Sequence, residues 1–177
     1  MSTTSFLHWL VAFLLAGIFL PSAWSKLRAI DEFTGIVADY RLLPGPLVEP
    51  VARLLPILEV ATGLLVLLPP VWPVAAALAT GLLLLFALAM AINLARGRRE
   101  IDCGCYLGRQ KERIGWPLVV RNLLLAAASL VLLAPAGAMP GPVEWVTIAL
   151  ASGSLLALYA AFSRLAGLAP VGRVRRA

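Results

Sequence analysis

The class of this protein follows from residues 71–95, which read VWPVAAALATGLLLLFALAMAINLA. No ionisable side chain occurs anywhere in this stretch. A helix needs about 20 predominantly apolar residues to cross the hydrocarbon core of a bilayer. The stretch is long enough and apolar enough to do so. We therefore predict that residues 71–95 form a membrane-spanning helix.

The composition of the whole chain supports the same conclusion. The chain has 177 residues, of which 61% are apolar and 14% are charged, and its mean hydropathy is +0.92. Soluble domains average about 45–50% apolar and about 25% charged residues, so the remaining polar residues are too few to cover a water-facing surface. Disordered chains show the opposite balance. The sequence predicts one integral membrane domain over residues 1–177.

Four further apolar segments lie before and after residues 71–95. Together they predict an all-α bundle of five membrane-spanning helices, at about residues 6–24, 51–68, 71–95, 116–134 and 143–162. The breaks at 69–73 and 135–142 are short and rich in Pro or Gly, which is typical of tight turns. The breaks at 25–50 and 96–115 are longer and heavily charged. The former contains either a short amphipathic helix lying on the membrane surface or a solvated connector.

The charged residues predict an orientation. The net charge is +6, from 15 Lys and Arg against 9 Asp and Glu. No basic run interleaves with aromatic residues, so no nucleic-acid partner is expected. Five spans place every Lys and Arg on one side or near its boundary, which puts the N-terminus outside and the C-terminus in the cytoplasm. No basic residue precedes the first apolar run, so that run is expected to remain as an anchor rather than act as a signal peptide.

The two cysteines are the sharpest chemical feature. Cys103 and Cys105 flank Gly104 in a polar loop, whereas inert cysteines prefer cores. A disulfide across one residue closes a strained ring, which glycine relaxes most easily, and strained disulfides are more readily reduced. Neighbouring cations favour the reactive thiolate, although two acids, Glu100 and Asp102, oppose them. The cations are Arg96, Arg98, Arg99, Arg109 and Lys111.

Three interpretations of this pair remain open. The first is a dithiol/disulfide redox site. The second is a soft-metal site, but two thiolates supply only half of a tetrahedral ligand set. The single histidine, His8, is predicted near the opposite membrane face, as an interfacial side chain, and cannot complete such a set. We therefore predict no metal. The third interpretation is that the cysteines are incidental.

Polar residues inside the predicted spans form a second candidate site. Glu59 lies in the second span as a lone carboxylate, which is costly enough to suggest a function by default. Arg121 and Asn122 enter the fourth span from the basic side, and Asn93 lies near the end of the third. These residues could form a polar pocket that positions a quinone or a proton. The alternative is a helix–helix clamp, with Arg121 extending to the surface.

Several motifs together resemble the MauE family, which is related to DoxX-like membrane proteins. The resemblance covers about residues 26–125, and its most specific part is the Cys-Gly-Cys segment after a basic stretch. The motifs are Leu-Leu-Pro at 42–44, Leu-Pro-Ile-Leu-Glu at 55–59, Gly63, residues 96–105, Ile-Gly-Trp at 114–116, and Arg121-Asn122.

This resemblance implies a function in methylamine utilisation. Similar proteins support maturation of the disulfide-rich small subunit of methylamine dehydrogenase, beside a thioredoxin-like partner. Cys103 and Cys105 then carry over as a redox pair in a protein of the bacterial inner membrane, so a thiol–disulfide oxidoreductase activity is conceivable. The alternative class is a non-enzymatic scaffold or small-solute carrier, in which Glu59 and Arg121 matter and the cysteines do not.

One conflict follows from these expectations. The charge distribution places Cys103 and Cys105 on the cytoplasmic side, whereas the client implied by the resemblance is exported. Two cysteines cannot relay electrons across a bilayer unaided. Either a quinone or a partner bridges the gap, or the topology is inverted, or the chain acts on cytoplasmic thiols. A quinone is therefore the one cofactor suggested.

Overall fold

The computed structural model describes residues 3–104, 113–135 and 139–168. The regular secondary structure of these residues is helical, with no strand among them, and the all-α prediction is confirmed for this part of the chain. Two short 3₁₀ turns, Pro69–Val71 and Leu130–Leu133, extend the helices. The α-helices are α1 (Thr3–Arg28), α2 (Ile30–Asp39), α3 (Gly45–Leu65), α4 (Trp72–Ala95), α5 (Trp116–Ser129) and α6 (Pro142–Leu168).

Within the described residues, four helical segments are long and apolar enough to cross a membrane, and they make the chain a multi-pass membrane protein. They correspond to the first, third, fourth and fifth predicted spans, while α3 is the helix at the second. Because α3 carries Glu49, Arg53 and Glu59 along its length, its composition is less apolar than theirs, and the count of five is not confirmed. The four segments are Thr4–Arg28, Pro69–Ala95, Trp116–Leu133 and Pro142–Phe162.

Helix α3 nevertheless packs inside the bundle, antiparallel to α1. Its Glu59 meets Lys26, and one turn later its Gly63 lies against Leu20. A Cβ atom at Gly63 would lie 2.8 Å from Cγ of Leu20, so a larger residue here would require the Leu20 side chain to shift. Beyond the end of α3, the carbonyl of Val66 accepts a 2.9 Å hydrogen bond from the indole N–H of Trp72, at the start of α4. Helix α3 therefore occupies the place in the bundle that the second span was expected to fill.

An aromatic cluster closes one end of the bundle. His8 stacks on Trp72 with ring centroids 4.8 Å apart, and Trp9 meets Trp145 edge-on at 4.8 Å. Both ring nitrogens of His8 lie within hydrogen-bond distance of backbone carbonyls, those of Thr4 and Ala134. His8 is fully buried, so the expectation of an interfacial side chain is wrong. The two backbone carbonyls and the Trp72 ring are the groups that His8 contacts inside the protein.

The opposite end of the bundle is covered by α2. Phe33 and Ile36 of this helix are buried, whereas Asp31 and Glu32 are exposed. This pattern confirms the short amphipathic helix and excludes the solvated connector. The apolar face of α2 faces the bundle and covers the apolar side chains where α1, α3 and α4 meet.

The five-span topology can be tested by reporter fusions at the two chain ends. If α3 crosses the membrane together with the four more apolar segments, a reporter fused before Met1 should lie outside the cytoplasm. A reporter fused after Ala177 should lie inside it, as the distribution of basic residues requires. Paired fluorescent-protein and alkaline-phosphatase fusions measure both positions. Two termini on the same side would show that α3 does not cross.

Candidate functional site

A buried ion pair joins α1 to α3. The ammonium group of Lys26 donates a hydrogen bond to Oε1 of Glu59, and the two residues are 2% and 1% exposed. The ammonium lies over the rings of Phe33 and Phe86, with centroids 5.1 and 4.9 Å from it. A single buried charge costs several kcal/mol, whereas the pair is neutral and the ring faces add attraction for the cation.

Sequence reasoning missed the partner of Glu59. It treated Glu59 as a lone carboxylate and Lys26 only as a charge that ends the first span. The structure joins them because a lysine side chain is long enough to run back along apolar surface. The signal was present in the sequence as one acidic and one basic residue on consecutive predicted helices of opposite direction.

A cavity of about 160 Å³, which we call the apolar cavity, lies beside this ion pair. Lys26 and Cys103 both line it, so the structure brings a thiol and a buried cation to one space. The rest of its wall is almost entirely apolar and comes mainly from α2, α3 and α4. These side chains include Phe33, Ile36, Tyr40, Leu55, Phe86 and Met90.

A second and much smaller cavity, about 20 Å³, lies on the Glu59 side of the pair. Glu59, Arg121 and Asn122 line it together with Ser22, so three of the four predicted polar residues meet here. Arg121 is buried, with its guanidinium carbon 4.9 Å from the ring centroid of Tyr159, and does not extend to the surface. This cavity can hold about one water molecule. It is too small for a quinone ring.

Asn93 is not part of this polar cavity. Its Oδ1 accepts a 2.8 Å hydrogen bond from Arg98, and its Nδ2 donates to the carbonyl of Ala89 at 3.1 Å. The same nitrogen of Arg98 also donates to the carbonyl of Tyr40 at 3.4 Å. Asn93 therefore helps to fasten the end of α4 to the end of α2.

The residues just before Cys103 are bonded to the residues that precede α5. Asp102 forms an isolated antiparallel bridge with Arg113, and the N–H of Ile114 donates to the carbonyl of Ile101 at 2.9 Å. Cys103 is partly buried. Cys105 lies outside the described residues, so its pairing with Cys103 stays a prediction.

Gly104 is fixed by two constraints. Its φ angle is +70°, a backbone conformation that residues with a Cβ rarely adopt. In addition, a Cβ atom there would lie 3.2 Å from Cε2 of Phe33. The sequence argument required glycine for the geometry of a disulfide ring, and the structure adds a close contact with α2.

These features define a class: a multi-pass helical membrane protein with a buried ion pair beside a cavity that a cysteine lines. The model of the family described as "Methylamine utilisation protein MauE" matches residues 4–135. The chain belongs to the MauE family. The match also includes the first span, where sequence reasoning found no signature.

Relatives named "Methylamine utilization protein MauE" support this assignment. The Paracoccus denitrificans protein is 40% identical over 162 residues, covering 90% of this chain and 87% of the relative. The Methylophilus methylotrophus protein is 44% identical over 150 residues, with 84% and 77% covered. The Methylorubrum extorquens protein is 41% identical over 167 residues, with 93% and 88% covered. No solved structure matches the chain.

Removing one partner of the ion pair should destabilise the bundle. Lys26→Met removes the ammonium that is bonded to the buried Glu59 carboxylate and should cost about 3–5 kcal/mol in the free energy of unfolding. The double variant Lys26→Met/Glu59→Leu should recover much of that loss. Thermal unfolding of the purified protein in detergent measures both.

A second ion pair of α3 gives the matched control. Arg53 and Glu49 are paired one turn apart and are mostly exposed, so Arg53→Met should change the unfolding free energy by at most about 1 kcal/mol. Equal losses for Lys26→Met and Arg53→Met would contradict a structural function of the buried pair.

The contact between Gly104 and Phe33 can be isolated with a second glycine. Gly97 has a similar φ angle of +75°, but a Cβ atom there would meet nothing within 4 Å. Gly97→Ala and Gly104→Ala therefore share the backbone penalty, about 1–2 kcal/mol, and only Gly104→Ala displaces the cysteine segment from α2. In a Cys105→Ser background, maleimide should label Cys103 faster in Gly104→Ala and at the unchanged rate in Gly97→Ala. Identical labelling rates would refute the contact.

Proposed function

We propose that this chain is a thiol–disulfide factor of methylamine utilisation in the bacterial inner membrane. It supports maturation of an exported client that contains disulfides, with the small subunit of methylamine dehydrogenase as the first candidate, beside a thioredoxin-like partner. The observation that carries the proposal is the position of Cys103. Cys103 lines the apolar cavity and precedes a glycine packed against α2.

The chemistry proposed is thiol–disulfide exchange between the Cys103–Cys105 pair and a partner. A thiolate of the client or partner attacks one sulfur of the Cys103–Cys105 disulfide and forms a mixed disulfide. A second client thiolate then attacks the mixed disulfide and releases Cys103 and Cys105 as thiols. The client gains one disulfide and loses two electrons and two protons, and the cysteine pair gains them.

Positive charge at this end of the bundle supports such a reaction. Arg98 donates to the carbonyl of Tyr40, and Arg96 donates to the carbonyl of Arg41 at 3.5 Å. These contacts hold two guanidinium groups at the end where Tyr40 and Cys103 line the same cavity. Nearby cations favour the thiolate over the thiol. The same cations favour a cytoplasmic location for this end.

A second candidate function is a non-enzymatic scaffold or small-solute carrier. The observation in its favour is the buried polar cluster of Glu59, Arg121 and Asn122 around the small cavity, with Glu59 bonded to Lys26. In a carrier these residues would bind the solute and both cysteines could be replaced without loss. The two candidates therefore differ in which substitutions abolish function.

Single-cysteine variants test the thiol proposal. Cys103→Ser or Cys105→Ser should trap a covalent adduct with the partner or client, visible on a non-reducing gel and lost on reduction. The Cys103→Ser/Cys105→Ser double variant is the matched control and should trap nothing. The host carrying the double variant should lose most methylamine dehydrogenase activity.

The carrier proposal makes the opposite prediction. If the host with the double cysteine variant keeps full dehydrogenase activity and no single variant traps an adduct, the thiol proposal is wrong. A loss of activity in Glu59→Gln alone, with the protein still present in the membrane, would then favour the scaffold or carrier.

A further inference from the structure

We infer that the apolar cavity binds the head group of a monocyclic membrane quinone, of the benzoquinone type. This inference rests on the proposed function for its thiol step, because the bound quinone would accept the electron pair of the Cys103–Cys105 dithiol. The carrying observation is that one apolar space of single-ring size is lined by both Cys103 and Lys26, whose ammonium is buried.

The volume of the cavity favours one ring. It measures about 160 Å³, and an apolar protein cavity of about 150 Å³ stays dry and binds benzene. A fused two-ring head group would have to extend into the open side of the cavity. The wall contributes the rings of Phe33 and Phe86 together with aliphatic side chains, which suits a flat apolar ring. The cavity is only partly enclosed, so the isoprenoid tail of a quinone can leave it.

The charge in the wall favours a ligand with an acceptor oxygen. An ammonium has three N–H donors, so Lys26 can bond to Glu59 and still donate to a quinone carbonyl. Negative charge develops on that oxygen as the ring is reduced, and a preorganised cation stabilises such charge strongly in an apolar site. An acyl chain of a phospholipid would fill the same space but would offer the ammonium no acceptor.

The redox step balances with these groups. Two S–H bonds of Cys103 and Cys105 break and one S–S bond forms. The two electrons and two protons released convert the two carbonyls of the quinone to the two hydroxyls of a quinol. The quinol then leaves for the bilayer, which supplies the next oxidised quinone. Electrons from the thiol pair thus enter the quinone pool of the membrane at the end of the bundle where Cys103 lies.

Binding of a short-tailed benzoquinone to the purified full-length protein in lipid nanodiscs tests the inference. Ala89 lines the apolar cavity, and Ala77 lies on the same helix but is exposed. Ala89→Leu should fill part of the cavity and weaken binding at least tenfold, whereas Ala77→Leu should bind like the wild type. The thermal unfolding midpoint of each variant without quinone shows whether it is folded, and the quinone should raise the midpoint of the wild type and Ala77→Leu.

Further measurements distinguish a failure of this inference from a failure of the proposed function. The Cys103→Ser/Cys105→Ser variant should keep quinone binding, because the cavity and Lys26 remain, while adduct trapping in cells fails. Absent binding to the wild type would overturn the quinone site and leave the thiol proposal intact. Equal binding by Ala89→Leu, equal binding of a naphthoquinone, or full competition by a fatty acyl chain would also overturn it.

Discussion

The buried ion pair between Lys26 and Glu59 is the contact on which the arrangement of the bundle depends. It fixes where α3 lies along α1, and it makes a carboxylate tolerable in the interior of a membrane protein. It also separates two spaces of different character. Lys26 lines the apolar cavity and Glu59 lines the small polar one.

A continuous set of contacts links the ion pair to the cysteine segment. The Lys26 ammonium lies over the ring of Phe33, and that ring meets the backbone at Gly104. Since Phe33 belongs to α2, this short helix determines both the environment of the cation and the position of Cys103. The amphipathic helix is thus a part of the site, and its exposed acidic face is turned away from it.

Much of the fold could be predicted from the sequence because apolar run length determines a membrane helix directly. Helices α1 and α4 followed from this rule, and the cost of a buried Glu59 followed from residue type, while the redox chemistry of Cys103 stays a prediction. The partner of Glu59 was missed, since hydropathy counts Lys26 as the end of a span. Likewise the cavity depends on how α2 folds against the bundle, which periodicity alone does not give.

The position of Cys103 also changes how the conflict over the client's side can be resolved. A thiol pair at the basic end of the bundle does not itself need to pass electrons across the bilayer if an apolar acceptor reaches it from within the membrane. The apolar cavity is where such an acceptor would meet both Cys103 and Lys26. After transfer into the quinone pool, the quinol can diffuse to either face of the bilayer. The side on which the thiols lie then does not determine the side on which the electrons finally leave. The exported client would still have to be oxidised through a partner on its own side.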